Sequence, residues 1–162
     1  SPWIVTLEAL EPFRCAAPPH AELLSYLDAK TPGAFHIELE AWLTARGSSD
    51  PVRLSRSHFD SMYWTLAQMI THHSSNGCPL LPGDLIGSGT VSGAEKENRG
   101  CLLELTNGAK EPIVLPNGET RTFLEDGDEI TLRGWCEAPG RRRIGLGSCS
   151  GTVTPASAIL GL

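Results

Sequence analysis

Two side chains near the middle of this chain have the types and surroundings that could do chemistry. Thr90 lies in the run Leu81-Pro82-Gly83-Asp84-Leu85-Ile86-Gly87-Ser88-Gly89-Thr90-Val91-Ser92-Gly93, and Glu104 follows shortly after in Cys101-Leu102-Leu103-Glu104-Leu105. Glycines in an extended run give up side-chain packing and cost chain entropy, so three of them within seven residues imply that something approaches the backbone closely. A hydroxyl between Gly89 and Val91 could donate to a carbonyl or anionic oxygen, although a β-branched residue in a strand needs no such role. No Lys-Ser or Lys-Thr follows these glycines and no helix is expected after them, so the run is not a phosphate-binding loop.

Glu104 is read as part of a strand. A two-residue period puts Cys101, Leu103 and Leu105 on one face and Leu102, Glu104 and Thr106 on the other, so the carboxylate shares its face with an apolar neighbour. Spacing leaves two readings open: a half-exposed strand glutamate, or a buried carboxylate that orients a catalytic histidine and stabilises its charged form. The second needs a histidine close in space. His72 and His73 are adjacent near a helix end and diverge by about 100°, which suits the helix carboxyl end better than a shared metal. His36 is expected on the polar face of a strand, and His20 and His58 in or beside loop and capping segments. None has the carboxylate or cysteine spacing of a familiar metal site.

The elements that must position these residues follow from periodicity and turn signals. Residues 1–10 read as extended, and the prolines from Glu11-Pro12 to Pro18-Pro19 exclude a helix interior. From Ala34 to Leu43 the sequence alternates, with Phe35, Ile37, Leu39 and Ala41 on one face and His36, Glu38, Glu40 and Trp42 on the other, as in a half-buried strand. The main helix is expected from about His58 to His73, capped by Ser55 or Ser57, burying Phe59, Met62, Tyr63, Leu66, Met69 and Ile70, and stopped at Asn76-Gly77. Beyond Asp84, Asn107-Gly108, Asn117-Gly118, Asp126-Gly127 and Pro139-Gly140 punctuate short runs at Pro112–Leu115, Glu129–Gly134 and Arg143–Leu146. Glu125, Asp126, Asp128 and Glu129 read as a solvated hairpin tip, and Arg141, Arg142 and Arg143 as a solvated turn. The expectation is a mainly β domain of the α+β class with one main helix.

Composition bounds the rest. A chain of 162 residues with 40% hydrophobic content suits one compact domain. Its formal net charge of -6, without a basic cluster, argues against a nucleic-acid partner. The five cysteines show no CxxC pair and read as reduced, packed thiols. No apolar run is long enough for a membrane span and no signal peptide opens the chain, so a cytoplasmic protein without a membrane partner is expected. Ser1-Pro2-Trp3-Ile4-Val5 starts at once as an apolar run, as expected of a piece of a longer protein.

These residues accumulate into a resemblance. Ser1-Pro2-Trp3-Ile4-Val5, Glu11-Pro12-Phe13-Arg14, Met62-Tyr63-Trp64-Thr65, Thr71-His72-His73-Ser74-Ser75-Asn76-Gly77-Cys78, Pro82-Gly83-Asp84-Leu85, Gly87-Ser88-Gly89-Thr90-Val91-Ser92-Gly93, Leu103-Glu104-Leu105, Phe123-Leu124-Glu125-Asp126-Gly127-Asp128-Glu129 and Arg143-Ile144-Gly145-Leu146-Gly147 occur in an order that resembles the carboxyl-terminal part of the fumarylacetoacetase family. The likeness extends over residues 1–162 and implies a mixed β-sandwich roll, a homodimer and hydrolysis of a carbon–carbon bond in a small diketo acid, 4-fumarylacetoacetate. It further implies that Glu104 corresponds to the family's catalytic glutamate and Thr90 to its substrate-binding threonine. The family's magnesium or calcium ion is held by carboxylates that, like its catalytic histidine, are expected upstream of Ser1, so no metal ligand is assigned within this chain.

The sequence departs from the family at Thr106-Asn107, where relatives often read Ser-Trp, and at Ala94, where they read Pro; both flank the key residues. Two alternatives stay open. One is a related acylpyruvate hydrolase or oxaloacetate decarboxylase, which Ser88-Gly89-Thr90-Val91-Ser92-Gly93 disfavours, since those relatives carry a Thr-Gly-Thr-Pro segment. The other is a non-catalytic β domain used for binding or dimerisation.

Overall fold

The computed structural model describes residues 1–20, 22–28 and 33–156. In chain order these form α1 (Leu7–Leu10), β1 (Arg14–Cys15), β2 (Ala34–Phe35), β3 (Glu38–Thr44), β4 (Val52–His58), α2 (Leu66–Ser74), α3 (Leu102–Leu105), β5 (Ile113–Val114), β6 (Thr120–Arg121), β7 (Glu129–Cys136) and β8 (Ile144–Thr152). A four-stranded antiparallel sheet in the order β4-β3-β7-β8 dominates, and β1-β2 and β5-β6 form two small sheets. The fold is therefore mainly β within the α+β class, as the turn signals predict.

β3 is the central strand because both its edges are paired: Leu39 opposes Ser57 on β4 and Gly134 on β7. The single strand expected from Ala34 to Leu43 is broken at His36 and Ile37 into β2, which pairs with β1, and β3, but the alternation of apolar and polar residues holds across both. Phe35 and Ile37 join Phe13 and Cys136 in one buried cluster, and Leu43 and Ala45 join Leu115 in a second. The opposite face carries Glu38, Glu40 and Trp42, over which arginines lie: Arg133 stands 5.5 Å from the Trp42 ring, and Arg56 and Arg143 stand 5.6 and 4.6 Å from that of Trp135. Arg143 is thus seated on an aromatic face rather than free in a turn.

Two segments fold differently from expectation. Residues 1–6 form no strand; Thr6 accepts from the Ala9 N–H at 3.3 Å and starts the short α1. The expected helix from His58 is split, because Ser55 and Ser57 lie buried in β4 and cannot cap anything. The real cap is Thr65, whose side chain accepts from Gln68 N–H while the Gln68 side chain accepts from Thr65 N–H, a complete capping box. Within α2 the buried residue is Gln68, which also donates to the Leu27 carbonyl at 3.1 Å; Phe59 and Leu66 pack against the first core cluster while Tyr63 and Ile70 are exposed, so only part of the expected apolar stripe faces the core. The helix stops where expected, with Gly77 at φ 86°.

The acidic turn at 125–129 differs most from expectation. Asp128 has no solvent exposure. Its carboxylate takes a bidentate pair from Arg121, at 2.9 Å from Nε and 3.1 Å from Nη2, and further bonds from the Arg46 and Glu125 N–H groups at 3.3 and 3.0 Å. Gly127 next to it has φ 95° and packs on the Arg46 side chain, so a larger residue there would be strained and crowded. The Arg121 hydrogen bonds hold the Asp128 carboxyl below the usual aspartate range, against the opposing effect of desolvation.

Asp128→Asn removes the buried member of Arg121's partners, leaving it Glu119 at 2.8 Å and Glu125 at 3.6 Å, and should cost about 1–3 kcal/mol in urea denaturation at neutral pH. Because the folded pKa is depressed, this contribution is present above the unfolded aspartate value of about 3.9 and is lost as pH falls through the folded value. The gap between native protein and variant should therefore close on acidification below that point.

Candidate active site

Glu104 stands on α3, a single helical turn, and not on a strand. Leu and Glu are good helix formers, and the buried positions Leu105 and Thr106, with half-buried Leu102, follow helical rather than alternating spacing. Thr106 locks the turn by donating from Oγ1 to the Leu102 carbonyl at 2.7 Å and accepting from Ala109 N–H at 3.1 Å. The chain then leaves through three positive φ values, Asn107 (49°), Gly108 (67°) and Ala109 (69°), with Gly108 N–H on the Leu103 carbonyl at 2.8 Å.

This turn presents Glu104 outward. The carboxylate is exposed rather than buried, so the picture of a carboxyl sealed in an apolar strand does not hold for this chain. It is nevertheless held. Ser92 Oγ donates to Oε2 at 2.6 Å and itself accepts from Gly100 N–H at 3.0 Å. The Ser92 bond is the largest influence keeping the Glu104 carboxyl below the ordinary glutamate range; burial opposes it, and Cys101, Gly100 N–H and the Arg99 charge add to it. Arg99 also donates to the Glu104 backbone carbonyl at 2.8 Å. An open hollow of about 350 Å³ lies over the carboxylate, lined by Ser92, Gly93, Arg99, Leu103, Asn107 and Gly108. Among the described residues no histidine bonds Glu104, so an imidazole partner is not supplied by this part of the chain.

Thr90 is exposed and belongs to no strand. Its methyl group and the Val91 carbonyl press against Gly100 so closely that a Cβ there would collide with both. Gly93 is crowded in the same way by Asn98. The close approach inferred from the glycines is thus partly internal: segment 90–93 packs against segment 98–104, and this packing puts Ser92 on Glu104. Gly89, at φ 78° with open space around it, turns the chain into Thr90. Ser92 and Arg99 carry no sequence signal of their own; Ser92 sits two residues from Thr90 inside the Gly87–Gly93 motif, and only the helical turn shows what it bonds.

A second constellation lies on the polar face of β3 and β4. His58 Nδ1 is 3.3 Å and His36 Nε2 3.7 Å from Glu38 Oε1. Asp60 Oδ2 accepts from His36 Nδ1 at 2.8 Å, and Arg56 Nε donates to Glu38 Oε2 at 2.8 Å. One ligand atom from each of His36, Glu38 and His58 lies within 4.8 Å of the others, an arrangement able to hold a metal ion. This corrects the reading that no histidine here has metal-site spacing. His36 and Glu38 do share a strand face in sequence, but His58 arrives only through the β3–β4 register, in which it opposes Glu38. Asn98 links the two constellations, donating to the Arg56 carbonyl at 2.7 Å from the turn between Ser92 and Gly100.

Residues 1–154 match the family model described as fumarylacetoacetate (FAA) hydrolase C-terminal. The chain belongs to this family. It is similar to fumarylacetoacetases of Arabidopsis thaliana (48% identical over 156 residues), Oryza sativa subsp. japonica (49% over 158) and Homo sapiens (48% over 157). Each alignment covers 96% of this chain but only 36–37% of the relative, so the chain of this fumarylacetoacetate hydrolase family member spans just over a third of their length and corresponds to their carboxyl-terminal part. No helix is long and apolar enough to cross a membrane among the described residues.

The hydrogen bond from Ser92 makes a specific demand. In Ser92→Ala the Glu104 carboxyl should titrate higher, back toward ordinary glutamate, as read by carboxyl ¹³C shifts against pH, while the melting temperature changes little because the pair is exposed.

Proposed function

We propose that this chain supplies part of the active site of an enzyme that hydrolyses 4-fumarylacetoacetate to fumarate and acetoacetate, with Glu104 in a catalytic role and Thr90 binding substrate. The observation that carries this reading is the Glu104 assembly: a carboxylate kept ionised by Ser92, open to a hollow, and braced on the segment that bears Thr90. In a half-exposed surface glutamate none of that bracing would be needed.

The reaction adds water to the fumaryl ketone carbon. The bond from that carbon to the adjacent methylene then breaks, its electron pair leaves on the acetoacetate fragment as an enolate, and the enolate takes up a proton. Glu104, ionised well into mild acid, is suited to accept from an imidazole N–H and to stabilise the imidazolium formed when that ring removes a proton from water. The ring would come from outside the described residues. Thr90, exposed at the end of a braced loop, is suited to a positioning hydrogen bond to a substrate oxygen.

We further propose that the whole enzyme carries a magnesium or calcium ion on carboxylates outside this chain, since such an ion takes oxygen ligands. The one converging group of three His, Cys, Asp or Glu among the described residues carries two nitrogens and one carboxylate, so it does not suit such an ion. We further propose that the protein is a cytoplasmic homodimer; the exposure of Trp3 (71%), Ile4 (93%) and Leu85 (98%) fits surfaces covered by the rest of the protein or by a second copy.

The test is a fumarylacetoacetate hydrolysis assay on the full protein that carries this chain. Glu104→Gln should lower kcat by about 10²–10⁴, the range of a lost general-base function. Thr90→Val should raise KM about tenfold, as for one lost hydrogen bond, with a smaller change in kcat. Unchanged kinetics in Glu104→Gln would rule out the role given to it.

A further inference from the structure

We propose that His36, Glu38 and His58 bind a divalent transition-metal ion of the zinc class, at a site separate from Glu104. The donor set is two imidazole nitrogens and one carboxylate oxygen, which favours zinc, cobalt or nickel over magnesium or calcium. Bonds of 2.0–2.1 Å in a tetrahedron keep ligand atoms roughly 3.4 Å apart, and the two distances to Glu38 Oε1 are 3.3 and 3.7 Å. The third edge, no longer than 4.8 Å, closes by a small turn of either ring, and both rings are about a third exposed, at 37% and 36%.

An independent observation points the same way. His58 Nδ1 is buried and has no hydrogen-bond partner. Glu38 Oε1 lies 3.3 Å away without forming a hydrogen bond to it. A buried polar atom left without a partner is uncommon in a folded protein, and a cation bound there would satisfy it.

The surroundings are those of a ligand set already oriented. Asp60 holds the proton on His36 Nδ1, which leaves the Nε2 lone pair facing Glu38, the carboxylate–histidine arrangement that fixes a metal ligand's tautomer. Arg56 binds Glu38 Oε2 and leaves Oε1 to the ion. Its positive charge opposes a cation, as does Arg53, paired with Glu40 at 3.3 Å; Glu38, Glu40, Glu137 and Asp60 stand against these charges. Three protein ligands at half-exposed rings leave a fourth position for water.

Calorimetric titration of zinc into the tag-free full protein, kept saturated with magnesium so that a carboxylate site elsewhere in the protein is already filled, tests this. One equivalent should bind to the native protein and to Cys78→Ser, which removes the competing Cys78–His73 pair at 3.3 Å. His58→Asn and Glu38→Gln should bind that equivalent at least tenfold more weakly. Imidazole ¹⁵N spectra of the unsubstituted protein decide the matter even if a variant does not fold: zinc should shift His36 Nε2 and His58 Nδ1 and leave His20 and His72 unmoved. Absence of that equivalent, its loss in Cys78→Ser instead, or unshifted His36 and His58 nitrogens would overturn the proposal and leave a simple His58–Glu38 ion pair.

Discussion

A carboxylate without solvent must be satisfied entirely by the protein around it, and Asp128 meets that condition with four hydrogen bonds from three separate parts of the chain. Arg121 comes from β6, the Arg46 N–H from the end of the β3–β4 hairpin, and the Glu125 N–H from the turn into β7. The Asp128 backbone carbonyl also accepts from Val153 just beyond β8, at 2.8 Å. One residue therefore fixes where the central sheet begins relative to the small β5-β6 sheet. The register of β7 against β3, and with it which face bears Glu38 and which faces the core, is set from this end.

Charge is used differently at the two constellations. At Glu104 the protein spends a short helical turn, a serine and a glycine that cannot carry a side chain to keep an exposed carboxylate ionised and aimed. On β3 and β4 the charges are half-buried and mutually facing, and one imidazole nitrogen is left over. The bond from Asn98 to the Arg56 carbonyl joins them, so the turn that brings Ser92 to Glu104 is anchored on the strand that carries His58.

The sequence was legible where a single physical signal dominated. Alternation from Ala34 to Leu43 was enough for β3, because one face is core and the other is not, and Gly77, Gly108, Gly118, Gly127 and Gly140 all take the positive φ their turn dipeptides implied. It misled where local pattern and tertiary context competed. The stretch from Ser55 to Met62 has helical apolar spacing, yet pairing with β3 holds its first half as a strand, and the capping box at Thr65 decides where the helix starts. Cys101 to Leu105 can be counted in twos or in threes and fours, and only the buried Leu105 and Thr106 tell which applies. Asp128 could not be distinguished from its solvated neighbours, because burial of a charge depends on an arginine seven residues away and a backbone amide 82 residues away. The same holds for His58, whose meeting with His36 and Glu38 is a matter of register.

The central place of β3 also shapes how the molecule is assembled. β3 with β4, and β7 with β8, are hairpins closed by short connections and can form locally, but β3 cannot complete its second edge until β7 has been reached, 85 residues on at its nearest pair, Thr44 with Glu129. Closing so long a loop has an entropic cost that no local contact offsets, which makes the docking of the two hairpins the slow step of folding. During synthesis β3 emerges well before its partner strand, with one edge open, and is the segment most in need of protection from pairing with another chain.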